Sequence, residues 1–137
     1  MMNRLVLADT GPLYAALNPH DQYYERAQRE LEDLATGGWE VAVIYPTILE
    51  TYSLILRNLN PRDAIQWLED VTEGTHVLEI EPSDYVHAFN TVKRFTDQDI
   101  TLFDALLATV SVRSRLNVWT YDHHFDILGA TRWYPGT

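Results

Sequence analysis

Leu5-Val6-Leu7-Ala8-Asp9-Thr10-Gly11-Pro12 is the stretch on which the fold is decided. Four consecutive apolar residues bounded by turn formers fit a buried strand and are too few for a helix. The run stops at an acid, and Gly11-Pro12 punctuates the chain directly afterwards. A short helix is predicted over residues 12–18, before Pro19. A buried strand that turns at once into a helix is the opening of an α/β unit.

The same switch of periodicity recurs along the chain. An amphipathic helix is predicted over residues 21–35, with Tyr24, Ala27, Leu31 and Leu34 on one face and Gly37-Gly38 as its stop. Val41-Ala42-Val43-Ile44 reads as a second buried strand, and Pro46 suits the first turn of a helix reaching Asn58. Pro61 opens a helix to Gly74 carrying Ala64, Ile65, Leu68 and Val71, and His76 to Ile80 follows as a short strand. Pro82-Ser83-Asp84 starts a helix to Phe95. The loop Thr96-Asp97-Gln98-Asp99 then precedes a strongly apolar helix from Thr101 to Arg115. Asn117 to Thr120 reads as a strand, Asp122 to Leu128 as a short helix and Thr131 to Tyr134 as a last strand. Such alternation predicts a three-layer α/β/α domain around a short, mainly parallel sheet of four or five strands. At 137 residues the chain is expected to be one domain, residues 1–137, without repeats or linkers.

Composition narrows the chemistry. No cysteine is present, which removes disulfides, thiol nucleophiles and thiolate metal centres. No apolar run approaches the roughly 20 residues that span a bilayer. Met1-Met2-Asn3-Arg4 leads straight into the first strand without a signal-peptide core, so a cytoplasmic protein is expected. Twenty acids against ten bases give a formal charge of −10, and Lys93 is the single lysine. Non-specific duplex binding by phosphate neutralisation is disfavoured. A small-molecule enzyme, a divalent-cation protein, and a protein that meets nucleic acid through metal or a partner all remain open.

Ligands of open α/β sheets sit beyond the carboxyl ends of the strands. Asp9 follows the first strand, Asp122 the Val118-Trp119-Thr120 strand, Asp104 opens the apolar helix, and Glu50 lies one turn into the helix after the second strand. Each acid taken alone reads as a helix cap, a dipole partner or a solvated side chain. Together on one rim they repel, by roughly 4 kcal/mol per pair at 4 Å and an effective dielectric near 20. No lysine or arginine adjoins any of the four. Hard oxygen donors of this kind suit Mg²⁺ or Mn²⁺, as in phosphoryl-transfer sites.

Other chemistries lack their motifs. There is no phosphate-binding loop, dinucleotide fingerprint or nucleophile elbow, and Gly11 occupies the place of the second acid of an aspartyl-phosphatase signature. His123-His124 has no second ligand cluster at a transition-metal spacing. Trp67 reads as a core residue, whereas the tyrosines and Trp133 could be core, interface or base-stacking groups.

Four blocks in order carry a resemblance. Residues 5–13 (Leu5 to Leu13) resemble the opening strand and acid turn of PIN domains, and Ile48-Leu49-Glu50 resembles that family's helix glutamate. Ile100 to Ala108 resembles its acid-plus-apolar-helix block, and Val118-Trp119-Thr120-Tyr121-Asp122-His123-His124-Phe125 its closing block. The length also resembles that of the small VapC-type toxins of prokaryotic toxin–antitoxin pairs. The resemblance implies a Mg²⁺- or Mn²⁺-dependent endoribonuclease, commonly a homodimer, cutting RNA and restrained by a cognate antitoxin. It implies that Asp9, Glu50, Asp104 and Asp122 form the catalytic metal site, with Thr120, Thr10 and Thr101 supporting it. Asp126 is implied either as an additional acid or as a surface residue. Phe103, before the third acid, departs from the small or hydroxylated residue common there. The alternatives are a non-catalytic PIN-fold binding module and a PIN-type nuclease acting on DNA or structured RNA. The strong acidity leaves two readings open: attraction of a basic antitoxin tail, or substrate entry guided by a few arginines such as Arg26, Arg29, Arg113 and Arg115.

Overall fold

A computed structural model describes residues 4–136, so the Met1–Asn3 part of the N-terminal reading, and Thr137, lie outside the described residues. Four strands form one sheet: β1 (Arg4–Ala8), β2 (Trp39–Ile44), β3 (His76–Leu78) and β4 (Asn117–Trp119). Their order is β3-β2-β1-β4, and every pairing is parallel. Among the described residues seven helices connect and cover them: α1 (Thr10–Ala15), α2 (Tyr24–Thr36), α3 (Tyr45–Asn58), α4 (Pro61–Gly74), α5 (Pro82–Arg94), α6 (Leu102–Ser114) and α7 (His124–Ile127).

The two-residue period of the strands divides the core. Leu7, Ala42, Ile44 and Val118 point to one face, where Ala88 of α5, the apolar residues of α6 and Phe125 of α7 cover them. Val6, Ala8, Val43 and Trp119 point to the other, against Leu34, Ile48, Ile55, Ala64, Trp67 and Val71 of α2, α3 and α4. The three layers and the parallel sheet are those expected, and Trp67 is in the core.

Local chemistry explains most boundaries. Pro46, Pro61 and Pro82 stand at the first or second helical position, where the missing N–H has no intrahelical acceptor to lose. Helix α6 is buried around most of its circumference, which accounts for its continuous apolar sequence. It ends at Arg115, which adopts the left-handed conformation (φ 57°), so that the Leu116 N–H reaches the Ser111 carbonyl at 3.0 Å.

Several expectations need correction. Helix α1 begins at Thr10, not residue 12, because the Asp9 side chain caps it. Helix α2 begins at Tyr24, after a turn in which Asp21 accepts the Tyr23 N–H at 2.8 Å. Its buried face runs through Ala27, Glu30 and Leu34, whereas Leu31 is exposed. Ile65 of α4 is likewise exposed. Strand β3 stops at Leu78, and the expected strand over 131–134 contracts to one parallel bridge between Val118 and Arg132. Thr131 and Trp133 hold that bridge, accepting from and donating to Val118 at 2.8 and 2.7 Å.

Leu107 is fully buried in the α6 layer. Leu107→Ala is expected to cost about 2–5 kcal/mol. A urea titration should show the midpoint falling at unchanged slope, since a cavity changes stability without changing the surface exposed on unfolding.

Candidate metal centre at the carboxyl rim of the sheet

The parallel sheet delivers the ends of β1, β2 and β4 to one rim, so the residues just beyond them meet. A cavity of about 420 Å³ opens there, lined by Asp9, Gly11, Glu50, Asp99, Thr101, Phe103, Asp104, Tyr121, Asp122 and His124. All four acids singled out in the sequence are present. Among the described residues five carboxylates line this cavity, and no lysine or arginine does.

Each acid is set by a local hydrogen-bond rule. Asp9 is the N-cap of α1: one carboxylate oxygen accepts the Thr10 N–H at 2.8 Å, the other the Thr120 hydroxyl at 2.7 Å. Its own N–H continues the β1–β4 pairing by donating to the Trp119 carbonyl at 2.9 Å. Asp104 is the third residue of α6 and forms a capping box with Thr101. The Thr101 hydroxyl accepts the Asp104 N–H at 3.0 Å, and the Asp104 carboxylate accepts the Thr101 N–H at 3.2 Å. Asp122 closes a turn ahead of α7: its carboxylate accepts the His124 N–H at 2.9 Å, and its own N–H donates to Thr120 Oγ1 at 3.0 Å. Thr120 therefore receives from Asp122 and gives to Asp9, linking two acids through one hydroxyl. Thr10 Oγ1 is buried and makes no hydrogen bond of standard geometry, but lies near enough to Glu50 to favour its ionised form.

The electrostatics are those of an uncompensated anionic site. Burial pushes Asp9 up to about 7, with Asp104 and Glu50 adding repulsion against the opposing bonds from Thr120 and Thr10. Burial also raises Glu50, with Asp104 again contributing. Asp104 rises chiefly through burial and through the nearby Asp122, against the Thr101 bonds and His124. Ligand atoms of Asp104, Asp122 and a His124 ring nitrogen lie within 4.8 Å of one another. Charge-hungry oxygens without a basic partner, converging at that spacing, are a donor set that a divalent cation fits.

Asp126 is elsewhere: its exposed carboxylate pairs with Arg132 through contacts of 3.0 and 2.9 Å, outside the cavity lining. Phe103 both lines the cavity and packs partly against the α6 core. Arg113 does not reach the rim, being held by Asp84 of α5 through two bonds of 2.8 Å.

Three contributors escaped the sequence reading. Asp99 sits in the loop before α6, where nothing but position marks it out. His124 has no second ligand cluster near it in the sequence, and Asp104 and Asp122 supply one across the fold. Glu30 is 4% exposed beneath the rim. It accepts the Trp119 indole N–H at 3.0 Å and the Tyr121 hydroxyl at 2.6 Å, and pairs with Arg26 at 3.3 Å. Burial and this bond to Glu30 hold the Tyr121 phenol well above its ordinary range. The Arg26 guanidinium lies 4.2 Å from the Tyr121 ring centroid. An acid sharing a helix face with Ala27 and Leu34 is the signal that could have revealed Glu30.

The family model of the PIN domain matches residues 6–130. Among solved structures, the chain superposes on the sarcin–ricin-loop-cleaving toxin VapC20 of Mycobacterium tuberculosis with a TM-score of 0.82. The identity is 20%, over 95% of this chain and 99% of that one. VapBC2 of Rickettsia felis, solved with a DNA fragment from its promoter, gives 0.70 at 15% identity over 93% and 96%. VapBC-1 of nontypeable Haemophilus influenzae gives 0.67 at 15% identity over 95% and 96%. At such identities the likeness is one of fold. None of the curated proteins matches the sequence.

The raised Asp9 carboxyl has a stability signature. Below pH 3.8, its ordinary value, folded and unfolded chains both hold the proton and the group contributes nothing. Between there and about 7 the folded chain binds more protons than the unfolded one, so stability falls as pH rises; above that the loss is complete. Thermal unfolding in EDTA from pH 4.5 to 8 should therefore show a declining midpoint in the wild type. Asp9→Asn, which cannot ionise, should flatten that decline and be the more stable protein at pH 8 by on the order of a few kcal/mol. Parallel profiles for the two proteins would contradict this account of the Asp9 environment.

Proposed function

This chain belongs to the PIN-domain family, and from that premise we propose that it is a metal-dependent endoribonuclease, the toxin of a type II toxin–antitoxin pair. The observation that carries the proposal is the convergence of Asp9, Glu50, Asp104 and Asp122 on one cavity with no lysine or arginine among the described residues lining it. An ion such as Mg²⁺ or Mn²⁺, when bound, supplies activation of water and offsets charge on the phosphate and the leaving oxygen. Asp9, Asp104, Asp122 and Glu50 are the residues assigned to hold it. Thr120 and Thr10 fix the Asp9 carboxylate, and Thr101 fixes that of Asp104, so the donors are oriented before any ligand arrives. The reaction is hydrolysis of an RNA phosphodiester with water as nucleophile, and no side chain is required to bond covalently to phosphorus.

RNA as substrate and a cognate antitoxin as partner are supported by the shared fold with VapC20, described as cleaving the sarcin–ricin loop, and with VapBC complexes. An apolar cleft of about 400 Å³ between α1, α2 and α4, lined by Leu13, Leu17, Leu31, Val41 and Trp67 among others, suits the apolar face of an antitoxin segment. The −10 charge of the whole chain favours a basic partner. The proposed protein works as a single domain, as a homodimer, in the cytoplasm; among the described residues no helix is long and apolar enough to cross a membrane.

The test is thermal unfolding in EDTA and then in millimolar Mg²⁺ or Mn²⁺, for wild type and Asp104→Asn, followed by cleavage assays on RNA and on DNA of matching sequence. A hundredfold excess of ion over its dissociation constant should stabilise the wild type by about 2.7 kcal/mol, a shift of several degrees. Asp104→Asn should fold, lose most of the shift and lose metal-dependent RNA cleavage. Absence of any shift at any concentration would return the acids to helix capping and favour a non-catalytic binding module. Cleavage of DNA alone would replace the RNA assignment.

A further inference from the structure

His124 separates this rim from an all-oxygen site. The Asx turn that fixes Asp122 also fixes His124: the histidine N–H is tied to the Asp122 carboxylate at 2.9 Å, which places the ring beside that carboxylate. His124 Nδ1 lies 3.1 Å from Asp122 Oδ1. That nitrogen is buried and makes no hydrogen bond of acceptable geometry. A buried ring nitrogen without a hydrogen bond is unusual, because such atoms are otherwise bonded to protein or water. The neighbouring His123 is different: its side chain is 74% exposed, and its Nδ1 stands 4.0 Å from Asp122. The two rings contact each other with centroids 4.5 Å apart, so His123 packs on the outer side of a ring that faces the acids. One nitrogen of His124 and one oxygen each of Asp104 and Asp122 form a group whose members are all within 4.8 Å.

We infer that His124 is a nitrogen ligand of the bound cation, alongside Asp104 and Asp122, and that it sets the site's preference for Mn²⁺ over Mg²⁺. The inference rests on the reading of this rim as a metal centre. Mg²⁺ is small and hard, favours oxygen donors in near-ideal octahedral geometry and retains its waters. Imidazole is a donor for transition ions, and a mixed set of carboxylates and one imidazole lowers the standing of Mg²⁺ relative to Mn²⁺. Asp122 contributes twice, as a ligand and as the acceptor that holds the His124 backbone. Because the ring nitrogen has no competing hydrogen bond, its one close polar contact is with Asp122, itself assigned as a ligand.

The experiment uses the whole chain with Mn²⁺ as the probe. Pulsed EPR of the Mn²⁺-loaded wild type should show nitrogen-14 modulation from a directly bound imidazole. The signal should vanish in His124→Gln and persist in His123→Gln. Equilibrium titrations should show Mn²⁺ affinity falling in His124→Gln by about tenfold or more, the loss typical of an outer-sphere partner being the floor for a ligand. Mg²⁺ affinity should change much less, since the amide oxygen of glutamine is acceptable to that ion. Bound Mn²⁺ without nitrogen modulation in the wild type would overturn the inference and leave the carboxylate site standing. The same holds if the modulation is lost in His123→Gln instead. Failure of the wild type to bind Mn²⁺ at all would overturn the metal-centre reading and this inference with it. Should His124→Gln fold poorly, the wild-type spectrum and His123→Gln still decide the matter.

Discussion

The Asp9 carboxylate is held on both oxygens by groups from different parts of the chain, and the geometry of the rim follows from that clamp. Thr10 N–H secures one oxygen at the start of α1, and the Thr120 hydroxyl secures the other from beyond β4. The clamp joins adjacent parallel strands at their carboxyl ends, where the β1–β4 pairing gives out. Burial makes its anionic form costly, and the nearby Glu50 and Asp104 add to that cost. The fold accepts this expense because the surrounding layers are well packed on both faces of the sheet. A destabilised group kept rigid by a stable frame is the usual arrangement of a prepared site.

Helix capping and the candidate site share the same atoms. Asp9 caps α1, Asp104 completes the capping box of α6, and Asp122 closes the turn before α7. Each contact uses some of the acceptor capacity of its carboxylate and leaves lone pairs directed elsewhere, since an ionised carboxylate offers about four acceptor positions. The two readings that the sequence set against each other, helix cap and ligand, are therefore compatible. A cap restricts the side chain to one rotamer, which is what a ligand set needs before its ion arrives.

The legible features were those that rest on neighbours in sequence. Prolines at 46, 61 and 82 and the apolar strand runs marked the elements, and the parallel topology follows from their alternation. The four acids were visible because strand ends and helix starts bring such positions together in any parallel sheet. What stayed hidden depends on pairings across the chain. Glu30 is buried on α2 because Trp119 and Tyr121, about ninety residues away, supply its donors. Leu31, the next residue, is exposed. His124 could not be weighed as a ligand until Asp104 was placed beside it. The last strand shrank to a bridge because only Thr131 and Trp133 bond with Val118 there.

The arginines bear on how a chain of charge −10 can meet a polyanion. Arg113 is committed to Asp84, and Arg132 to Asp126. Arg26 pairs with Glu30 and lies over the Tyr121 ring, so its charge is partly spent on the protein's own anion. Among the described residues no lysine or arginine lines the cavity itself. In the proposed reading the attraction for a phosphate at the cavity comes from the bound ion, whose charge also relieves the repulsion among Asp9, Glu50 and Asp104. Substrate affinity and relief of electrostatic strain then have one source. Such a protein has little hold on RNA at this cavity without its ion.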